Sequence, residues 1–146
     1  MRLLFVFLFP LFLLAQEELQ TRTQVLMGTF VHISLPQKDK QEITRSFELL
    51  KRIEDSLSTY DETATLAKLN KTHFVKYDPY LAEAITLSRS YYHQSHGYFD
   101  ITIGSISKKL YHFGEEKTYS PSKQALQKAH LDIHGIYIDD KYIITD

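Results

Sequence analysis

The chain contains no cysteine and no tryptophan. Without cysteine there are no disulfides, no thiolate metal centres and no cysteine nucleophile, whatever the compartment. A lipid anchor attached to a cysteine behind an apolar N-terminus is excluded for the same reason. Neither sign of charge dominates: 17 Lys and Arg stand against 18 Asp and Glu, a formal net charge of −1. The basic stripe that a nucleic-acid partner requires is therefore missing. Only five glycines and four prolines punctuate 146 residues, and there is no internal repeat, low-complexity tract or linker. No apolar run reaches the roughly 20 residues that a membrane-crossing helix needs. What remains, 43% hydrophobic and 24% charged residues, is the mix of a soluble globular protein. The length suits one domain, able to bury roughly two thirds of its unfolded surface.

The first fifteen residues differ from the rest. Arg2 precedes LLFVFLFPLFLLA, Leu3 to Ala15, with no charged or hydrogen-bonding side chain. One basic residue, a short apolar core and a small residue before a polar stretch is the layout of a secretory signal peptide. Cleavage after Ala15 would start the mature chain at Gln16, although Leu13 is bulky for the −3 position. An uncleaved membrane anchor is the alternative. Both readings place residues 16–146 outside the cytoplasm, exported or anchored at the membrane.

Residues 23–35, TQVLMGTFVHISL, alternate with period two and predict one strand. On that reading Val25, Met27, Thr29, Val31, Ile33 and Leu35 share a face. Gly28 lies inside it, where a glycine often lets a ligand or another backbone approach. Asp39 and Glu42 have the spacing of a capping box. Ile43, Phe47, Leu50, Ile53 and Leu57 then form the stripe of an amphipathic helix ending near Ser58 to Tyr60. A short helical piece and a brief extended FVKYD follow. Asp78-Pro79 opens the next helix with a cap and a proline at its first position, and Gly97 stops it. A short helix is expected through Ile106 and Leu110, and another from Ser120-Pro121. IYIDDKYIITD reads as two strands about a turn at Asp139-Asp140-Lys141. The class is α+β, mixed helices packed on a small sheet.

Several residues could carry chemistry. His93 and His96 stand three apart, and His130 and His134 four apart. Such pairs can share a helix face and bind a metal. Two histidines make only half a site, however, and neither pair has an acidic ligand in register, so helix-terminal surface histidines are the simpler reading. Met27 beside Gly28 is either core filling or a thioether resting on a flat ring. Tyr60, past a helix end, is either a packing residue or a stacking lid. Glu54 reads as a salt-bridged surface carboxylate. Asp100 sits in GYFDITIG, residues 97–104, between Phe99 and Ile101. It either accepts hydrogen bonds from a ligand or caps the helix starting near Gly104, and spacing alone leaves the two equal.

Four fragments occur in order: MGT at Met27, E-x-S-x-S-x-Y from Glu54 to Tyr60, L-x-x-L-N from Leu66 to Asn70, and SHGYFDITIG from Ser95 to Gly104. Together they resemble the ApbE family, the FAD:protein FMN transferases, from about Met27 to Ile144. The resemblance implies a periplasmic enzyme that splits FAD and links FMN through phosphate to a threonine of a target protein, assisted by magnesium. Targets in the family include subunits of sodium-pumping NADH:quinone oxidoreductases and Rnf-type complexes. Carried over by position, Met27, Tyr60, Tyr98, Phe99 and Asp100 would contact FAD; Tyr98 stands where the family more often has alanine.

The family pattern continues with a D-x-G-G-x-x-K-G segment, an H-x-x-D-P-x-T-G stretch and Asp and Thr metal ligands, none of which is in this sequence. The expectation is therefore the N-terminal portion of a flavin transferase, residues 16–146, with the magnesium ligands in the absent half. A truncated chain, a disrupted reading frame or one member of a split pair would each give this pattern. Such a half should expose apolar surface and be weakly active or inactive alone. The alternative is a secreted, non-catalytic module that binds flavin or a metal.

Overall fold

The computed structural model describes residues 17–117, 119–129 and 131–146. The apolar N-terminal segment and His130 lie outside the described residues. The chain divides into two compact units, one up to Leu49 and one from Leu50 to Asp146. Among the described residues no helix is long and apolar enough to cross a membrane.

The first unit contains two antiparallel strands, β1 (Leu19–Leu26) and β2 (Thr29–Pro36). The single strand expected over residues 23–35 is thus corrected to a hairpin. Its two-residue turn is Met27-Gly28, with φ of +53° and +72°. Positive φ at both central positions matches the right-handed twist of the flanking strands, and a glycine in the second position relieves the steric cost there. The alternation that suggested one continuous strand survives in each arm, but the turn resets the faces. Val25 pairs with Phe30, Thr23 with His32 and Thr21 with Ser34. These pairs line the exposed face, where Thr21 and Ser34 hydroxyls meet at 2.8 Å and Thr23 Oγ1 meets His32 Nδ1 at 2.7 Å. Leu26, Val31 and Ile33 lie on the opposite, more buried face.

A 3-10 turn, Gln37–Asp39, leads into α1 (Lys40–Leu57). The expected capping box is replaced by a local ion pair, in which Arg45 Nη1 donates to Glu42 Oε1 at 2.7 Å. Ile43 and Phe47, the first residues of the predicted stripe, are buried. Arg22 of β1 donates to Thr44 Oγ1 at 2.7 Å and its guanidinium lies 5.8 Å from the Phe47 ring centroid.

The second unit takes up the last turns of α1, then α2 (Thr65–Thr72), β3 (Phe74–Lys76), α3 (Pro79–Gln94), α4 (Gly104–Ser107), α5 (Lys123–Gln127), β4 (Ile136–Ile138) and β5 (Tyr142–Thr145). Its sheet has the order β3-β5-β4, antiparallel throughout. Val75, Ile136 and Ile143 point inward and meet Leu69, Leu81, Ala82 and Ile85 from α2 and α3 in one core. Ile143, fully buried in the central strand, contributes about 1.5–3 kcal/mol by leaving water. The α+β class expected from the pattern is the class observed.

The opposite face of this sheet is also apolar. Phe74 pairs with Ile144, Ile144 with Tyr137, and Tyr142 with Lys76. Phe74, Tyr137, Tyr142 and Ile144 are all exposed, and the Phe74 and Tyr142 rings lie 4.8 Å apart.

Asp78 ties the helices of the second unit together. Its Oδ1 accepts from the Leu81 backbone N–H at 3.0 Å, the N-cap bond expected at Asp78-Pro79. The same oxygen accepts from the buried Ser56 hydroxyl at 2.7 Å, and Oδ2 accepts from Thr65 Oγ1 at 3.1 Å. One carboxylate therefore joins the last turn of α1, the first turn of α2 and the start of α3. The helix expected from Ser120-Pro121 instead begins later. Its cap is Ser122, whose Oγ accepts from Ala125 N–H at 3.2 Å, so Pro121 precedes the helix rather than opening it.

Candidate functional site

The segment after α3 is set by the way that helix ends. Gly97 N–H donates to Tyr92 O at 2.9 Å and His96 N–H to His93 O at 3.2 Å. These are the paired bonds of a Schellman motif, with His96 and Gly97 at positive φ. The chain reverses there and presents Tyr98, Phe99 and Asp100 in succession. Ser95 Oγ accepts from Phe99 N–H at 2.9 Å and holds the new direction.

The three residues then face different surroundings. Tyr98 is 97% exposed. Phe99 lies edge-on to Tyr91, centroids 6.0 Å apart, and the two with Gln94 and Ser95 line a shallow, apolar cleft. Asp100 has extended backbone and caps the 3-10 turn Ile101–Ile103. Its Oδ1 accepts from Thr102 N–H at 2.8 Å and from Thr102 Oγ1 at 2.7 Å. The cap serves this turn, immediately adjacent, rather than α4 directly; the turn then runs into α4 at Gly104. The other carboxylate oxygen, Oδ2, has no hydrogen-bond partner among the described residues. The capping and ligand-binding readings of Asp100 are therefore compatible, one on each oxygen.

Tyr60 lies in the loop after α1. Ser58 Oγ accepts from the Tyr60 and Asp61 N–H groups at 3.2 and 3.1 Å. Asp61 Oδ1 accepts from the Thr63 N–H and hydroxyl at 2.8 and 2.7 Å. The Thr63 hydroxyl, then its N–H, hold the Asp61 carboxyl below its usual pKa. Tyr60 is 77% exposed, and the Lys108 ammonium lies 4.2 Å from its ring centroid. That ammonium also donates to the Thr59 carbonyl at 3.3 Å and to the Thr59 hydroxyl. Gly114, at φ +92°, lies against the tyrosine: a Cβ there would come 2.9 Å from the Tyr60 hydroxyl. The segment running from Asp100 through α4 thus delivers Lys108 and Gly114 to the Tyr60 loop.

Met27 belongs to the first unit, at the hairpin turn, and is 46% exposed. It is a turn residue and does not fill a core. Glu54 is paired, 3.4 Å from Lys51 Nζ, as expected of a surface carboxylate. Of the histidines, His93 lies not in a helix-face pair but against Tyr92 and His134, ring centroids 5.8 Å (Tyr92 to His93) and 6.1 Å (His93 to His134). The His130–His134 pairing falls partly outside the described residues. Among the described residues no three His, Asp or Glu side chains come together to hold a metal ion. Sequence reasoning did not single out Lys108 or Gly114. A lysine in Ser-Lys-Lys carries no periodic signal; Gly114 beside Phe113 offered only that of a lone glycine.

A family model, the ApbE family, matches residues 27–145. The chain belongs to the ApbE family. A comparison with curated proteins finds no match. Among solved structures it is similar to the ApbE protein of Thermotoga maritima, with a TM-score of 0.74 and 23% identity over 88% of this chain and 45% of that one. It is also similar to the apo form of the Pseudomonas stutzeri flavinyl transferase ApbE, TM-score 0.76 and 16% identity, over the same shares. The flavin transferase ApbE of Vibrio cholerae gives a TM-score of 0.73 at 20% identity, again covering 88% and 45%. At these identities the likeness speaks to the fold. The chain spans slightly less than half the length of these ApbE structures.

Proposed function

We propose that this chain carries the flavin-holding part of an FAD:protein FMN transferase. The observation that supports the reading best is the ApbE match over residues 27–145, falling on a chain that exposes Tyr60 after α1, and Tyr98 and Phe99 immediately before the Asp100 turn. Exposed aromatic rings suit a flat conjugated ligand, and a carboxylate oxygen without a partner suits a ligand N–H or O–H. In the reaction, a threonine hydroxyl of the target protein attacks the FMN-side phosphorus of FAD. A bond forms from the threonine oxygen to phosphorus, the phosphoanhydride bond breaks, AMP leaves, and the threonine proton passes to solvent or a base. Such transfer is mostly positioning and charge stabilisation. The residues of this chain serve binding and orientation. The described residues do not fit the magnesium ion that the family implies, because no three His, Asp or Glu side chains among them come together to hold it. The apolar N-terminus points to export, with the reaction on the periplasmic side.

The test is direct. The protein is titrated with FAD and followed by flavin fluorescence, then incubated with FAD, magnesium and a threonine-containing acceptor peptide. Quenching without flavinylated product is the expected result for the chain alone. Absence of any quenching up to the solubility limit of FAD would refute the flavin reading. A flavinylated peptide would show that the residues present suffice for transfer.

A further inference from the structure

Tyr60 is mostly exposed, yet its backbone, its hydroxyl and its ring each meet a neighbour. The Ser58 hydroxyl fixes its backbone N–H at 3.2 Å. Gly114 leaves room for its hydroxyl that any other residue would take. Lys108 lies over one ring face at 4.2 Å while its ammonium is anchored to both oxygens of Thr59, the neighbouring residue. An exposed tyrosine ordinarily samples several rotamers, and ordering it on binding costs affinity. A cation on one face restricts that freedom, while Tyr60 as a whole remains 77% exposed and so accessible to a ligand.

We propose that Lys108 is a positioning residue, which acts through Tyr60 to hold its ring as a preformed stacking platform for a flat conjugated ring system. The inference rests on the flavin reading above for the identity of that ligand. Lys108 does not itself touch the ligand in this arrangement. Its charge is spent on Thr59 and on the face of Tyr60 away from the ligand, which distinguishes it from a lysine that binds a phosphate directly.

The experiment has two parts. The first needs no ligand: the Lys108 ε-methylene protons, observed by proton–carbon NMR, should be shifted upfield by the aromatic ring and lose that shift in Tyr60→Ala. An unshifted signal in the wild type overturns the proposal. The second measures FAD dissociation constants. Lys108→Met should weaken binding about two- to five-fold, the range for an exposed cation–π contact. Lys108→Arg, which keeps a cation over the ring, should restore it. Tyr60→Ala combined with Lys108→Met should bind no more weakly than Tyr60→Ala alone, because the lysine acts through the tyrosine. Additive losses would show a direct ligand contact and overturn the proposal, as would a Lys108→Met variant, folded by circular dichroism, that binds like wild type. Failure of the wild type to bind FAD, with the methylene shift present, would instead remove the flavin reading and the proposal that rests on it.

Discussion

Asp100 offers the sharpest separation of a structural role from a functional one. Its two carboxylate oxygens are unequally engaged: Oδ1 accepts twice from Thr102, at 2.8 and 2.7 Å, while Oδ2 is available. Asparagine can keep the first set, because its carbonyl oxygen accepts as a cap nearly as well as a carboxylate. It cannot keep the second, because an NH₂ group stands where the accepting oxygen was. Asp100→Ala removes both. The cap is worth about 1 kcal/mol in ordinary helices, and in a three-residue turn the lower part of that range applies. Thermal melts should therefore show Asp100→Asn close to wild type and Asp100→Ala slightly lower. A ligand hydrogen bond to a charged acceptor is worth about 1.5–3 kcal/mol, a loss of about 10- to 150-fold in affinity. Both variants should show that loss in the FAD titration. If Asp100→Asn binds FAD as wild type does while Asp100→Ala is weakened only in step with its stability, the residue is a cap and nothing more, and the argument from the open oxygen fails.

Asp78→Ala removes an N-cap and leaves the buried Ser56 hydroxyl without its acceptor. The expected cost is about 2–4 kcal/mol, measured by urea unfolding, and adding Ser56→Ala should cost less than the sum of the two single changes. Asp139 sits in the β4–β5 turn, where the Lys141 and then the Tyr142 N–H groups hold its carboxyl below its usual pKa. A depressed folded pKa contributes stability that is present above the unfolded value and lost as pH falls below about 4 through the folded one. Melting temperatures of wild type should drop faster than those of Asp139→Asn across that interval, and parallel curves would refute the role. The outward row Phe74, Tyr137, Tyr142 and Ile144 should drive concentration-dependent self-association in sedimentation velocity. Tyr137→Lys should reduce it, and an unchanged sedimentation coefficient for wild type across concentrations would sink the idea.

How much of this was legible in the sequence depended on whether the signal was local. The α1 stripe, the Asp78-Pro79 cap and the strand pair about Asp139 are local patterns, and the structure has each of them. The Met27-Gly28 turn was missed because the alternation on either side has the same period. Only two positive φ values tell a hairpin from a long strand there, and Met is not among the residues that advertise a turn. The Ser120-Pro121 start failed because Ser122 offers an equal cap two residues on. For the candidate site, the residues named from the family resemblance are surface aromatics, a turn carboxylate and the methionine of the hairpin turn, which no periodicity distinguishes from ordinary surface. Lys108 and Gly114 come to Tyr60 across more than 45 positions, a proximity that only the fold creates.

The scaffold explains why these loops can be held still. Binding groups on loops are positioned only as well as the elements that carry them. Tyr60 follows α1, and Phe99 with Asp100 follows α3. Ser56, at the last turn of α1, and the first turn of α3 share the Asp78 carboxylate, while Ile85 in the middle of α3 is buried in the sheet core. The base of the Tyr60 loop is thus fixed to the start of the helix whose far end carries Phe99 and Asp100. The link is also closed from the other side, since the segment after Asp100 returns Lys108 to Thr59. Two loops that sequence places about 40 residues apart therefore form parts of one closed circuit. A change at Asp78, half-buried where three helices meet, should loosen the Tyr60 loop, and amide hydrogen exchange at residues 58–63 should rise in Asp78→Ala. If exchange there stays at the wild-type rate while global stability falls, the loop is held by Lys108 and its own turn bonds, and the circuit carries no positional information.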